Sequence, residues 1–120
     1  MSKKRTKKSP QLSRTALEMV AARFRALGDA TRLEILQNLM EGEKTVQELS
    51  EITAMSQANI SKHLSVLADQ GLVTKRREGL YSFYSICDSS VYDLCNLVCT
   101  SLENRFARVH EEFVSAANQG

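Results

Sequence analysis

The chain has 120 residues, 42% hydrophobic and 25% charged, which describes one ordinary globular domain, small enough that dimerisation would help it to bury apolar surface. No run approaches the ~20 apolar residues of a membrane span, and no apolar stretch follows the basic start, so neither membrane anchor nor signal peptide is expected and a cytoplasmic location is read. The net charge of +2 is uneven: Lys3, Lys4, Arg5, Lys7 and Lys8 leave behind them 11 basic against 14 acidic residues, a body of net −3.

Residues 1–11 thus predict a disordered basic arm ending near Pro10, either a salt-sensitive follower of DNA phosphates or a solubilising tail. Residues 12–118 hold the domain. Leu17, Val20, Phe24 and Leu27 recur at intervals of 3, 4 and 3, predicting a first helix over about 13–27 with an apolar seam. Gly28-Asp29 breaks it. Asp29 caps a second helix, Ala30 to Met40, that buries Leu33, Leu36 and Leu39 and stops at Gly42.

Thr45-Val-Gln-Glu48 is a capping box, so a third helix starts at about Thr45, with Val46, Leu49 and Ile52 on its apolar side. Thr53-Ala-Met-Ser56 interrupts the pattern, and Ser56 is the N-cap of a fourth helix. That helix runs to Gly71 with Ile60, Leu64 and Leu67 as its buried stripe. Its other face carries Gln57, Asn59, Ser61, Lys62 and His63, which suit base edges and phosphates in a major groove if the helix is a recognition helix; otherwise they are a solvated face.

Leu72 to Ile86 places β-branched and aromatic residues on either side of Glu78-Gly79, predicting a two-stranded wing with its turn there. Lys75, Arg76, Arg77 and Tyr81 lie on or near its tip, where cations neutralise phosphates or enter a minor groove. A long helix follows, over about 89–116. In it Tyr92, Cys95, Cys99, Leu102, Phe106, Val109 and Phe113 recur at 3, 4, 3, 4, 3 and 4, a heptad seam longer than one such domain needs for its own core. Pairing with the same helix and the first helix of a second subunit is expected.

These residues carry a family resemblance. Leu27-Gly-Asp-Ala-Thr-Arg-Leu-Glu-Ile-Leu36, Val46-Gln-Glu-Leu49, Ser56-Gln-Ala-Asn-Ile-Ser-Lys-His-Leu64, Gly71-Leu-Val73 and Arg76-Arg-Glu-Gly79 resemble, in order, the motifs of the arsenic-repressor (ArsR/SmtB) winged-helix family, over roughly Ala16 to Cys99. The resemblance implies a mainly α fold of about five helices with a β-hairpin wing, dimerising through its first and last helices. It also implies a repressor of palindromic double-stranded operator DNA that lets go when an inducer, often a metal or metalloid, binds.

All three cysteines lie at the end of the chain's wing or beyond: Cys87 just before the last helix, Cys95 and Cys99 on its seam. At spacing i, i+4 the latter two stand on adjacent turns and can converge on one soft ion. Trivalent arsenic or antimony prefers three thiolates, and Cys87 is the only third. Eight residues at helical rise separate it from Cys95 by about 12 Å, so it has to arrive by a fold-back before Ser89 or from the other subunit. Three readings stay open for the thiols: a site for a metalloid or other thiophilic metal, a thiol-redox or reactive-sulfur sensor, and plain packing residues in a ligand-independent DNA-binding regulator.

Departures from the resembled pattern narrow the first reading. The Cys-x-Cys pair that many members carry at the start of the third helix is absent from Lys44 to Glu48. Of the zinc ligands found on the last helix in other members, Asp88 matches one, while Ser90, Ser101 and Asn104 stand where the rest are sought and His110 is read as a surface residue. Neither His63 nor His110 has a partner at ligand spacing. Sulfide-responsive relatives pair a cysteine of the second helix with one of the last, and Ala30 to Met40 has none. An enzyme is not expected, since there is no Cys-x-x-Cys, no cysteine beside a histidine base and no glycine-rich phosphate loop. A module whose seam pairs with another protein is the remaining rival.

Overall fold

Polar side chains at their N-termini set where four of the helices begin. In the computed structural model, which describes residues 11–119 and side chains as far as 112, Ser13 accepts from the Ala16 amide ahead of α1 (Arg14–Leu27) and Asp29 from the Arg32 amide ahead of α2 (Ala30–Leu39). The Thr45 box forms both of its bonds ahead of α3 (Val46–Thr53): Glu48 N to Thr45 Oγ1 at 3.1 Å and Thr45 N to Glu48 Oε1 at 2.8 Å. Ser56 accepts from the Asn59 amide ahead of α4 (Gln57–Asp69). The basic arm proposed for residues 1–11 lies outside the described residues except at its last position.

The ends are equally local. Gly71, at φ +70°, closes α4 with a Schellman pair, Leu72 N to Leu67 O at 3.0 Å and Gly71 N to Ala68 O at 2.9 Å, and the side chains of Leu67 and Leu72 are both fully buried beneath it. The link between α3 and α4 turns on Ala54, which holds a left-handed φ of 62° without being glycine.

Three strands make the wing sheet rather than the two expected. β1 (Lys44–Thr45) adds to β3 (Tyr81–Ile86), which pairs antiparallel with β2 (Val73–Glu78), giving the order β1-β3-β2. A two-residue strand whose second residue is already the cap of α3 carries no alternation to read, which is why β1 escapes prediction. The hairpin turn is also one residue later than expected: Glu78 pairs with Tyr81, and Gly79-Leu80 make the loop, with Gly79 at φ +63° in the first central position.

The core comprises Ala26, Ile35, Leu36, Leu39, Leu49, Ile60, Leu64, Leu67, Leu72, Val73 and Val91. The α4 stripe is as read from its spacing. Two expectations fail: Leu33 is 40% exposed while Ile35 takes its place, and Ile52 is 51% exposed while Met55, beyond the end of α3, packs on the core instead. Both helices are short enough that a neighbour's placement, not their own periodicity, chooses between adjacent apolar positions. α5 (Ser90–Gln119) leaves the core almost at once. Among its described side chains only Val91 is fully buried, and Leu97, Val98, Leu102, Phe106 and Val109 are exposed, as are Leu17, Val20 and Phe24 of α1.

Candidate nucleic-acid interface and thiol pair

Because Ile60, Leu64 and Leu67 bind α4 to the core, the helix turns its other side outward, and Ser56, Gln57, Asn59, Ser61 and Lys62 are all exposed there. His63, grouped with them by sequence, is half-buried, with Nδ1 3.2 Å from Arg32 Nη1. A guanidinium only donates, so in this contact Nδ1 is the acceptor. Of the five side chains grouped by sequence four are exposed, while His63 lies beside the buried Leu64 and is drawn to Arg32 of α2.

Arg32 was not singled out by sequence. Its Nε donates to the Ala26 carbonyl at 2.6 Å and its Nη2 to that of Arg25 at 3.1 Å, so one side chain closes the end of α1 and reaches α4. The legible signal was its spacing: Arg32 shares a helix side with Ile35, Leu36 and Leu39, and a cation on a burying face must find acceptors.

On the wing, Arg77 and Tyr81 are exposed near the turn, whereas Lys75 sits opposite Tyr84, nearer the base than expected, with Nζ 6.0 Å from that ring. Arg76 is already engaged. Its Nη2 lies 2.6 Å from Glu43 Oε1, its Nη1 2.6 Å from Glu78 Oε1, and its guanidinium stands 4.7 Å from the Phe83 ring centre. Its hydrogen bond holds the Glu43 carboxyl below the ordinary carboxylate range. Leu80, unremarked in the sequence, stands 94% exposed at the wing tip.

Between wing and α5 a second clasp forms. Asp88 Oδ1 accepts from the Ser90 amide at 2.9 Å and hydroxyl at 2.7 Å, and Oδ2 accepts from Arg23 Nη1 at 2.8 Å, so the carboxyl is held below its usual range by Ser90 first and Arg23 next. Arg23 Nη2 donates to the Gln70 carbonyl at the end of α4. Cys87 also meets that end, its amide donating to Leu72 O at 3.1 Å and its thiol to Gly71 O at 3.3 Å.

Cys95 is half-buried at the core's edge, its thiol pushed up by burial and then by the neighbouring Cys99, which is exposed. Cys87 does not join them. Its thiol is turned to α4, and among the described residues no three His, Cys, Asp or Glu side chains gather as a metal site. The fold-back route to a third thiolate is therefore not taken within one chain.

The sequence profile of the bacterial regulatory proteins of the arsR family matches residues 29–75. The chain is 45% identical to the probable mercury resistance operon repressor of Streptomyces lividans over 70% of this chain and 68% of that one. This protein belongs to the arsR family. It is 41% identical to the arsenical resistance operon repressor of Bacillus subtilis over 60% of its own length and 70% of that protein's. Among solved structures, the homodimeric winged helix-turn-helix DNA-binding domain of a possible ArsR-family regulator from Mycobacterium bovis superposes with a TM-score of 0.68 at 35% identity, covering 80% of this chain and 91% of that domain. Mycobacterium tuberculosis Rv0081 gives 0.73 at 28% identity, covering 80% of this chain and 97% of that one. The regulator is accordingly a winged helix-turn-helix DNA-binding transcription factor and not an enzyme, with α3–α4 as its helix-turn-helix and β2–β3 as its wing. No helix among its described residues is long and apolar enough to cross a membrane.

Proposed function

We propose that this regulator is a cytoplasmic homodimeric repressor that binds double-stranded operator DNA through two α4 helices and is released when a thiophilic ion, trivalent arsenic or antimony or another soft metal, binds Cys95 and Cys99. The observation that carries the reading is the clasp at Asp88. The helix bearing both thiols begins at a carboxylate that Arg23 ties to the last carbonyl of the recognition helix, so a shift of α5 is felt by α4. Since two recognition helices must match half-sites about 34–36 Å apart, a small change in their relation releases DNA.

The donors fit a soft ion in part. Two thiols on adjacent turns suit such an ion, and ligation displaces the proton that burial strengthens on Cys95. A three-thiolate site needs Cys87 of the second subunit. Dimerisation through α1 and α5 is supported by their exposed Leu17, Val20, Phe24, Tyr92, Leu102, Phe106 and Val109, and by an open groove of about 580 Å³ lined by Val20, Phe24, Leu27 and Leu94. The side chain of Phe113 lies outside the described residues. On DNA, Gln57 and Asn59 read bases, Ser56 and Ser61 flank them, and Lys62 holds phosphate. The relatives named for mercury and arsenical resistance support a thiophilic inducer.

The test is fluorescence anisotropy of the reduced protein on a duplex that it selects from a random pool, titrated with arsenite, mercuric ion, hydrogen peroxide and sulfane sulfur. Release by an ion that vanishes in Cys95→Ser is expected. Release by the oxidants alone would replace the ion with thiol oxidation, and no release would reduce the cysteines to packing.

A further inference from the structure

The wing carries three consecutive cations, and the structure treats them differently. Arg77 has no ion-pair partner among the described residues. Arg76 has two. Its guanidinium forks onto Glu43, Nη2 to Oε1 at 2.6 Å and Nε to Oε2 at 3.4 Å, while Nη1 takes Glu78 and the plane lies against Phe83. We propose that Arg76 is the positioning residue of the wing, remaining on Glu43 and Glu78 when the protein binds DNA, and that Arg77 is the wing cation that neutralises phosphate.

The fork joins three parts of the fold. Glu43 immediately precedes β1 and the Thr45 cap of α3, Arg76 and Glu78 belong to β2, and Phe83 belongs to β3. The backbone ties the first of these to the wing over only two paired positions, Lys44 with Tyr84 and Thr45 with Phe83. Two rungs at the edge of a strongly twisting ribbon leave the wing's angle loosely set. Arg76 adds a fixed link from the wing to the segment that starts the helix-turn-helix, and so fixes the angle between wing and α4.

A lone half-exposed ion pair contributes little, but a fork on one carboxylate, a second carboxylate and an aromatic face make a network in which one planar group satisfies three partners. Moving Arg76 to a phosphate would break that network. It would also leave the Glu43 and Glu78 carboxylates unneutralised beside the DNA backbone, where they would repel the phosphate that Arg76 had moved to reach. Arg77 moves at no such cost. Its neighbour on β3 is Ser82, next to the exposed Tyr81 and the turn.

Salt dependence identifies the phosphate cation, because removing the cation from one phosphate lowers the slope of log affinity against log salt by about 0.9, and the sign of the Glu43→Gln effect identifies the positioning residue, because freeing a DNA-binding Arg76 would tighten binding. The experiment measures binding to the selected duplex from low to high salt for the wild type, Arg76→Ala, Arg77→Ala and Glu43→Gln, with circular dichroism to confirm folding. Arg77→Ala is expected to flatten the slope by about 0.9. Glu43→Gln is expected to weaken binding although it removes a negative charge, and Arg76→Ala, which bares two carboxylates beside the DNA, to weaken it further. Tighter binding by Glu43→Gln, no change in it, or an unchanged slope in Arg77→Ala would each overturn the proposal. Glu43→Gln alone decides if Arg76→Ala fails to fold.

Discussion

Arg23 Nη1 lies 2.8 Å from Asp88 Oδ2, and the other terminal nitrogen of the same guanidinium donates to the Gln70 carbonyl, so the start of the thiol-bearing helix and the end of the recognition helix share one side chain of α1. Residues separated by 65 and 47 positions in the chain meet at a single planar group. Arg23→Gln keeps some donor capacity but loses the charge and the fork. If the clasp transmits inducer binding, the ratio of DNA affinities without and with arsenite should shrink at least about fivefold in this variant, from the range usual for coupled sites, while arsenite still binds Cys95 and Cys99. Isothermal titration for the ion and anisotropy for DNA separate the two. An undiminished ratio would place the coupling elsewhere.

Acid should loosen the same region, and the sign follows from the carboxylates. Asp88 is held below its ordinary value of 3.8, by Ser90 and then Arg23, and Glu43 below 4.5 by Arg76. A carboxylate depressed in the folded state contributes stability that is fully present above its unfolded value and is lost as pH falls through its folded one. Thermal midpoints should therefore hold above about pH 5 and decline below about pH 4. Asp88→Asn should be less stable near neutrality and show a shallower decline; midpoints falling in parallel would remove Asp88 from the acid response.

Phe106 is 73% exposed, between Leu102 and Val109, which are exposed on the same seam. Phe106→Asp should leave the core untouched, because it contributes nothing there, yet place a charge where two subunits would meet. Sedimentation should show monomer in place of dimer and DNA affinity should collapse, since a monomer engages only one half-site. A persisting dimer would move the interface off this stripe.

Ala54 bears a left-handed φ of 62° in the turn of the helix-turn-helix. Such a conformation costs a non-glycine residue ~1–2 kcal/mol, and the extra freedom of glycine in the unfolded chain offsets part of that. Ala54→Gly should stabilise the protein by about 0.5–1 kcal/mol in urea unfolding, with DNA binding unchanged. A destabilised variant would mean that the Ala54 methyl group packs more favourably than its exposure indicates.

What was legible in the sequence is what neighbouring residues decide. The Ser13, Asp29, Thr45 and Ser56 caps each act on an amide three residues away, and the Gly71 stop closes bonds of three and five residues, so they need no knowledge of the rest of the chain. The α4 stripe of Ile60, Leu64 and Leu67 is set in the same way by helical period, and with it the outward placing of Gln57, Asn59 and Lys62. Tertiary structure alone decided which of Leu33 and Ile35 would be buried, that His63 would turn to Arg32, that Arg76 would be held by Glu43, and that Cys87 would face Gly71 rather than Cys95. Each of these joins residues 16 or more positions apart or depends on the placing of another element, and charge or polarity in a sequence names a group's possible partners without saying which the fold brings within about 3 Å.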